Sequence, residues 1–286
     1  MLINPKELST PKLQAYLQGA VSPRPIALAS TIDKDGNVNL SPFSFFNLFS
    51  MNPPILIFSP SRRVRDNSTK HTLQNVQEVP EVVINIVSYT MVEQVSLASC
   101  DFPKGTNEFE KAGFTEVTSI HVNPPRVAES PVSFECKVNQ VIPLGQEGGA
   151  GNLVICEVVL MHIDDEVLGV DGFIDPNKID AVARMGQDYY CRASGENVFT
   201  VPKPNTKVGI GIDQIPTHIR NSNVLTGNDL GRLGNIEKLP TESEIKLFQS
   251  TKLWKDAKGN GVKELHQLAK NYLSENKLEE AWKVLL

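Results

Sequence analysis

Residues 22–47 read SPRPIALASTIDKDGNVNLSPFSFFN and predict two strands joined by a tight turn. The strands are expected at 24–32 and 37–44, where short apolar and β-branched runs end at turn signals. The turn runs from Asp33 to Asn37, and its Gly36 and Asn37 tolerate the positive φ angles of a hairpin. The stretch therefore predicts an antiparallel hairpin early in the chain.

Four more short apolar runs continue the β pattern to about residue 200. They predict strands at 55–59, 81–87, 132–142 and 153–163, and the glycine-rich run 145–151 predicts a turn between the last two. Helices are expected at about 67–77, 89–99 and 107–112. Because strand and helix do not alternate regularly, the pattern favours a mainly β fold, a β-barrel with peripheral helices, over a doubly wound sheet.

The sequence changes character after Pro204. Residues 205–240 are rich in Gly, Asn and Pro, whereas apolar residues recur at helical spacing from Thr241 onward. We therefore expect a barrel domain at 1–204, followed at 205–286 by an extended arm and an amphipathic helical appendage. The helices are expected to pack on the barrel or on a partner subunit, or to recruit another protein.

Composition narrows the class of protein. With 40% hydrophobic and 21% charged residues, the chain is typical of a globular protein that buries a core. The net charge is -5, so we expect no nucleic-acid or membrane partner, and any anion site must be local. No apolar run suits a signal peptide or a spanning helix, which predicts a cytoplasmic location. The spacing of the four cysteines and five histidines suggests no metal site.

The hairpin carries the first group of candidate ligand-binding residues. Arg24 lies between two prolines that hold its backbone extended. Ser30 and Thr31 end the first strand, and alternation places Ser41 and Phe43 on one face of the second. A hydroxyl beside a flat apolar wall suits a planar heteroaromatic ligand. The alternative is that the phenylalanines belong to the core and the serines to turns.

A second candidate segment, residues 59–75, reads SPSRRVRDNSTKHTLQN. It gathers cations and hydroxyls beside a predicted helix N-terminus, where free backbone N–H groups and the helix dipole favour an anion. Its candidate phosphate ligands are Ser59, Arg62, Arg63, Arg65, Lys70 and Thr72. The alternative is a solvated basic loop.

His162 is the histidine with the most suggestive position, because it ends an apolar strand just before three acidic residues. The alternative is a strand-end histidine that is solvated or hydrogen-bonded to a nearby acid. Gly209 and Gly211 have no third glycine at the spacing of a dinucleotide-binding loop, and the zinc-protease and NTPase loop motifs do not occur. The sequence therefore predicts no Rossmann-type nucleotide site.

Taken together, these segments resemble the flavin reductase-like family of FMN-binding split barrels, which includes flavoredoxins and the reductase components of two-component monooxygenases. The resemblance covers about residues 15–204 and rests on the order and spacing of its pieces. These are SPRPIALAST, the hairpin leading to NLSPFSFFN, PPILIFS, KHTLQN, EVVINIV, ESPVSFECKV and VARMGQDYY. His71 replaces the acidic residue that the family commonly has between a lysine and a threonine.

The resemblance implies a six-stranded split barrel that forms a homodimer and holds FMN near the subunit interface. The residues implied to line the ring and the ribityl chain are Ser30, Thr31, Ser41, Phe43 and Ser44. Those implied to hold the phosphate are Ser59, Lys70 and Thr72, to which the charge pattern adds Arg62, Arg63 and Arg65. Arg184 and Tyr189 would close the pocket, and His162 would dock a nicotinamide or supply a proton.

The implied activity is that of an FMN-dependent oxidoreductase, an NAD(P)H:flavin reductase that transfers a hydride from NADH or NADPH to flavin N5. Its electrons would pass to flavin, to a monooxygenase partner or to another acceptor. Two alternatives stay open. One is an FMN-bound electron-transfer protein that serves a protein partner, and the other is a non-catalytic flavin-binding assembly protein.

Overall fold

The structure is a computed structural model that describes residues 1–204 and 208–286. The chain divides into two compact units, Met1–Phe199 and Thr200–Leu286. The boundary expected from the sequence, between 204 and 205, falls a few residues beyond this division. Positions 205–207 of the predicted arm lie outside the described residues.

The first unit is built on one antiparallel sheet. Its strands are β1 (Ala27–Ile32), β2 (Val38–Phe43), β3 (Phe46–Met51), β4 (Pro54–Phe58), β5 (Glu81–Ile86), β8 (Val132–Pro143) and β9 (Asn152–Ile163). Two short ribbons are formed by β6 (Glu116–Val117) with β7 (Arg126–Val127) and by β10 (Val182–Arg184) with β11 (Tyr190–Arg192). The helices are α1 (Thr10–Ala20), α2 (His71–Glu78), α3 (Val92–Ala98), α4 (Glu108–Ala112) and α5 (Pro176–Ile179).

The order of the strands shows how this sheet closes. Neighbours run β2, β1, β5, β8, β9, β4, β3, so β2 and β3 lie at opposite edges. Only Ser44 and Phe45 connect these two edges. A flat sheet of this order would hold its edge strands about 29 Å apart, whereas the connection spans about 11 Å at most. The sheet must therefore curl into a barrel that is split between β2 and β3.

The mainly β architecture agrees with the sequence pattern, and every predicted strand is present with its ends moved by at most three residues. The pattern does not predict β3, because Asn47 and Ser50 interrupt its apolar residues and its edge position leaves Met51 exposed. Within the described residues β3 makes the sheet seven-stranded rather than six-stranded. The pattern does not predict α1 either, since no side chain of that helix is buried.

The core of the first unit lies on both faces of the sheet. β1 is buried along almost its whole length, and its residues alternate between two apolar clusters. Ala27 and Ala29 face the cluster that contains Phe58, whereas Leu28 faces the cluster that contains Phe109. β1 lies inside the sheet, between β2 and β5, and apolar side chains cover both of its faces.

The second unit is helical and has a core of its own. Its helices are α6 (Thr217–Arg220), α7 (Gly227–Leu233), α8 (Glu242–Gln249), α9 (Lys252–Gly259), α10 (Val262–Ser274) and α11 (Leu278–Leu285). The part predicted as an extended arm instead contains α6 and α7 from residue 208 onward, and it buries Ile215, Ile219 and Leu233 beside Trp282. These helices are too short to show a helical period, although a capping box at Thr226 begins α7.

Candidate functional site

A cavity of about 570 Å³ lies in the first unit between α1, the loop at 61–64 and Phe45. The apolar part of its lining consists of Leu13, Leu17, Val21, Phe45 and Val64. The polar part consists of Thr10, Gln14, Gln18, Arg24, Ser61, Arg62, Arg63, Lys70 and Gly149. A cavity of this size and mixed lining suits a cofactor-sized ligand with an anionic end.

One wall of the cavity is made by two loops that hydrogen-bond to each other. The Arg62 N–H donates to the Ala150 carbonyl at 2.8 Å, and the Gly149 N–H donates to the Arg62 carbonyl at 2.9 Å. A Cβ on Gly148 would stand 3.0 Å from the Val64 Cα, so this close approach requires glycine. The sequence predicts only a turn at 145–151, because its partner loop is distant along the chain.

The basic segment is folded around its own backbone. Arg62 Nε donates to Asn67 Oδ1 at 2.6 Å, and Arg62 Nη2 donates to the Asn67 carbonyl at 2.7 Å. Arg63 Nη1 donates to the Thr69 carbonyl at 2.6 Å. Because residues 66–69 are used in this loop, α2 begins at His71, four residues later than predicted. The same bonds fix the two guanidinium groups in place.

Asp101 binds three of the cations and is a site residue that the sequence does not predict. Its carboxylate accepts hydrogen bonds from Arg63 and Arg65, and its Oδ1 lies 3.8 Å from Lys70 Nζ. The hydrogen bond from Arg63, supported by that from Arg65, outweighs burial and lowers the pKa of Asp101 to about 2. Asp101 stands 38 residues after Arg63, so no local pattern connects them.

The cluster of Arg62, Arg63, Arg65 and Lys70 keeps an excess of positive charge. Two carboxylates, Asp66 and Asp101, form ion pairs with three of these four cations, Arg63, Arg65 and Lys70. Burial lowers the pKa of Lys70, and the charge of Arg63 lowers it further against the opposing effect of Asp101. An anionic group bound here would relieve the repulsion between the cations.

Arg24 also lines the cavity and holds α1 in place. Its guanidinium donates to the carbonyls of Gln18 at 2.6 Å and Met185 at 2.8 Å, and also to that of Val21. Gln18 and Val21 lie at the C-terminal end of α1, where a cation is favourable. Burial, together with the charge of Arg184, lowers the pKa of Arg24. The residue is 7% exposed, and its Nε has no hydrogen-bond partner among the described residues.

The hydroxyls predicted at the end of β1 do not line this cavity. Ser30 and Thr31 are fully buried and point to opposite faces of the sheet, since they are adjacent in one strand. Thr31 Oγ1 accepts a hydrogen bond from Asn75 Nδ2 at 3.2 Å. Ser30 Oγ is buried without a partner in the described part of the chain. Both side chains belong to the core in this structure.

The aromatic residue that lines the cavity is Phe45 and not Phe43. Phe43 packs in the core against Phe58, with ring centroids 5.4 Å apart, whereas Phe45 is 43% exposed. The alternation of side chains in a strand would place Phe43 and Phe45 on the same face of the sheet. Their environments differ because β2 ends at Phe43. Ser44 is half-buried at the split of the barrel and is not among the lining residues. Ser41 lies in a small crevice beside Lys70.

The two hydroxyl-bearing residues predicted to bind phosphate, Ser59 and Thr72, lie outside the lining of the 570 Å³ cavity. Ser59 is nearly buried, its N–H donates to the Phe45 carbonyl at 2.8 Å, and a Cβ on Gly151 would stand 2.6 Å from its Oγ. Thr72 is buried, and its Oγ1 accepts a hydrogen bond from Asn39 Nδ2 at 3.1 Å. Neither side chain is in contact with the cavity between α1 and the loop at 61–64.

The three candidates from the later part of the barrel also lie outside the lining. Arg184 exchanges backbone hydrogen bonds of 2.9 Å with Arg24 in both directions, and it is therefore adjacent to the cavity. Tyr189 is 69% exposed and does not reach it. His162 Nε2 lies 2.7 Å from Oε1 of Glu135, which is fully buried.

The pairing of His162 has a structural cause. Burial opposes the ionisation of Glu135, but hydrogen bonds from the backbone N–H groups of Ile120 and His121 and from His162 keep its pKa below the ordinary value. His162 is thus the hydrogen-bonded strand-end histidine that the sequence left open as an alternative. Its role toward a nicotinamide stays a prediction.

A groove of about 710 Å³ in the second unit is less suited to a cofactor. Its lining mixes lysines with acidic residues, among them Lys238, Lys277, Lys283, Glu244, Glu279 and Glu280. In the described part of the chain no group of His, Cys, Asp and Glu side chains could hold a metal ion. None of the helices in that part is long and apolar enough to span a membrane.

Residues 20–172 match the flavin reductase like domain, and this match covers more than half of the chain. The chain belongs to this family. A protein of Aquifex aeolicus is 39% identical over 191 residues, which are 67% of this chain and 95% of that protein. The family assignment and the split-barrel fold that the sequence resemblance implies are therefore confirmed.

Two solved structures are similar over the same extent. Nitrilotriacetate monooxygenase component B from Bacillus cereus has a TM-score of 0.65 and 28% identity, and covers 70% of this chain and 98% of its own. The 2-nitrobenzoate 2-nitroreductase NbaA from Pseudomonas fluorescens has a TM-score of 0.61 and 27% identity, and covers 71% of this chain and 96% of its own. A stretch about as long as the second unit has no counterpart in these relatives.

Proposed function

We propose that the protein is an FMN-dependent oxidoreductase that uses NADH or NADPH to reduce flavin or another acceptor. The observation that carries this proposal is the cavity of the first unit, in which an apolar lining meets a basic cluster. Membership of the flavin reductase-like family supports a flavin as the ligand. We propose further that the flavin is the phosphate-bearing FMN and that the reductant is a nicotinamide.

The residues of the cavity fit the parts of FMN. Leu13, Leu17 and Phe45 offer apolar surface to a flat ring system. The cations of the basic cluster offer charge-assisted hydrogen bonds to a phosphate with about two negative charges. The Nε of Arg24, which has no partner in the part of the chain that the structure describes, is a further donor that a polar atom of the ligand would satisfy.

A bound flavin would supply the redox chemistry by accepting a hydride at N5, so the protein needs no nucleophile of its own. The chain's residues would bind the phosphate, orient the ring and exclude water from it. The cysteines of the core are not candidates for chemistry, because burial raises the pKa of the Cys136 and Cys156 thiols far above neutrality. Placement and electrostatics are therefore the contribution of this chain.

We also propose that the protein forms a homodimer through β3. This edge strand exposes Leu48, Phe49 and Met51, and an exposed apolar edge is typical of a surface that pairs with another chain. Because Phe45 directly precedes β3, a partner bound there would border the cavity. Light scattering should give a dimer for the wild type and a monomer for Phe49→Lys; a wild-type monomer at about 10 μM would contradict the proposal.

Spectroscopy of the full chain tests the flavin site. FMN should bind with a change in its visible absorbance, and NADH or NADPH should bleach the bound flavin. Riboflavin, which lacks the phosphate, should bind at least about tenfold more weakly if the basic cluster holds that group. Absence of FMN binding would refute the proposal. Binding without oxidation of either nicotinamide would indicate an electron carrier instead.

A further inference from the structure

A second concavity of the first unit, the ribbon cleft, lies between the β10–β11 ribbon and the segment 89–96. Its volume is about 430 Å³. It is lined by Tyr89, Val92, Glu93, Ser96, Val182, Arg184, Asp188, Tyr190, Cys191 and Arg192. Apart from Arg184, none of these residues is a site candidate from the sequence. None of them, Arg184 included, lines the cavity between α1 and the loop at 61–64, which is called the flavin cavity from here on.

Two arginine–tyrosine stacks shape the ribbon cleft. The guanidinium carbon of Arg184 lies 4.5 Å from the ring centroid of Tyr190, and that of Arg192 lies 4.0 Å from the ring centroid of Tyr89. The register of the ribbon pairs Arg184 with Tyr190 and Val182 with Arg192, so these four side chains share one face. The cleft therefore presents flat cationic and aromatic surfaces together.

The two arginines differ in what they already bind. Arg192 donates from Nε and Nη2 to the two carboxylate oxygens of Asp180, each at 2.7 Å. This pairing lowers the pKa of Asp180. The Arg184 side chain donates only from Nη2, to the Gln187 carbonyl at 2.7 Å, and its Nε and Nη1 have no partner among the described residues. Within the described residues Arg184 thus has two nitrogens, Nε and Nη1, that are available to a ligand, whereas Arg192 has one, Nη1.

The ribbon cleft adjoins the flavin cavity. Arg24 lines the cavity and Arg184 lines the cleft, and their backbones exchange hydrogen bonds of 2.9 Å in both directions. Arg24 Nη2 also donates to the carbonyl of Met185, the residue after Arg184. This backbone bridge therefore joins a residue of the flavin cavity directly to a residue of the ribbon cleft, so the two concavities are adjacent.

We propose that the ribbon cleft binds the adenosine phosphate part of the nicotinamide cosubstrate. This inference rests on the proposed function, because it gives a place to the reductant of that reaction. Adenine is a flat ring that stacks on guanidinium and tyrosine groups, and the free donors of Arg184 suit a phosphate. The carboxylates of Glu93 and Asp188 can accept hydrogen bonds from the adenine amino group or ribose hydroxyls. These acids disfavour a small anion as the only ligand.

Calorimetric titration of the FMN-saturated full chain with 5′-AMP tests the cleft without any turnover. Arg184→Met keeps an unbranched apolar stem but removes the guanidinium with its stack and donors, so 5′-AMP should bind about tenfold more weakly. Arg184→Lys retains the charge and should fall between the two. Lys34→Met removes one positive charge from the exposed turn at the far end of β1 and should bind as the wild type does.

Steady-state kinetics separates the adenosine end from the nicotinamide end. Arg184→Met should raise KM for NADH about tenfold, and it should leave KM for reduced nicotinamide mononucleotide, which has no adenosine, unchanged. A general disturbance of the site would raise both constants. Circular dichroism and Tm of the variant establish that the barrel is intact.

The outcomes separate this inference from the proposed function. The cleft assignment is overturned if the wild type does not bind 5′-AMP at about 10 mM, or if Arg184→Met raises both KM values equally. It is also overturned if Lys70→Met abolishes 5′-AMP binding while Arg184→Met does not, because the ligand would then lie in the flavin cavity. If Arg184→Met weakens 5′-AMP binding but the wild type oxidises neither nicotinamide, the adenosine phosphate site stands and the reductase proposal fails.

Discussion

Asp101→Asn would test whether one carboxylate organises the basic cluster. Asparagine keeps the shape of the side chain but leaves Arg63, Arg65 and Lys70 without their shared counterion. A pKa lowered from 3.8 to about 2 corresponds to roughly 2 to 3 kcal/mol at about 1.4 kcal/mol per pKa unit. Because the Asp101 side chain is 31% exposed, solvent screening reduces this to about 1 to 2 kcal/mol of lost stability at pH 7.

Urea unfolding followed by far-UV circular dichroism measures this loss. With an m-value of about 2 kcal/mol per molar, the midpoint of the first unit should fall by about 0.5 to 1 M. Both tryptophans, Trp254 and Trp282, lie in the second unit, so their fluorescence provides an internal reference whose midpoint should not move. The control Asp35→Asn removes an exposed carboxylate that forms no ion pair with the described residues, and it should cost less than about 0.5 kcal/mol.

The effect of Asp101→Asn depends on pH in one direction. The folded-state pKa lies below the unfolded value, so the stabilisation is complete above about pH 5 and is lost as the pH falls through about 2. The stabilities of wild type and variant should therefore converge over this range. Equal stabilities at pH 7, or a difference that grows on acidification, would refute the reasoning.

Three further substitutions test the cavity and its walls. Lys70→Met should weaken FMN binding about 10- to 100-fold in a flavin fluorescence titration, because a charge-assisted phosphate contact is lost, and unchanged affinity would remove Lys70 from the site. Phe45→Ala should weaken FMN binding while leaving Tm nearly unchanged. The core variant Phe43→Ala should instead cost about 3 to 5 kcal/mol of stability in urea unfolding. A large loss of stability for Phe45→Ala and none for Phe43→Ala would contradict the assignment of the two rings. Gly148→Ala should lower stability by about 1 to 3 kcal/mol, since its Cβ would meet backbone atoms at 3.0 Å. Its control, Gly19→Ala in α1, meets nothing within 4 Å and should not lower Tm.

Local patterns in the sequence were sufficient for six of the seven strands of the main sheet and for the position of the positive charge. Each predicted strand is a short run of apolar residues, and such a run can be recognised from neighbouring residues alone. In β1 successive side chains point to opposite faces of the sheet, and both faces are buried. The segment from Arg62 to Lys70 is basic whatever its conformation. The order of motifs along the chain was also enough to indicate the flavin reductase-like family, to which the chain belongs.

The composition of the site depended on contacts between segments that are far apart in the sequence. Asp101 reaches the basic cluster from the segment that follows α3, and the Asn67 side chain donates to the Gln146 carbonyl of a loop 79 residues away. The choice between Phe43 and Phe45 followed from where β2 ends and the barrel splits. The periodicity of a short stretch of sequence does not predict such contacts, because they are set by the packing of one element against another.

By itself, the sequence determined the β character of the first unit, its family and the position of its cations. Tertiary structure decided that α1 covers a cavity, that Ser30 and Thr31 belong to the core, and that α6 and α7 form part of a helical core. The reason is that alternation and charge are properties of neighbouring residues. Burial, counterions and cavity walls arise only when distant segments meet.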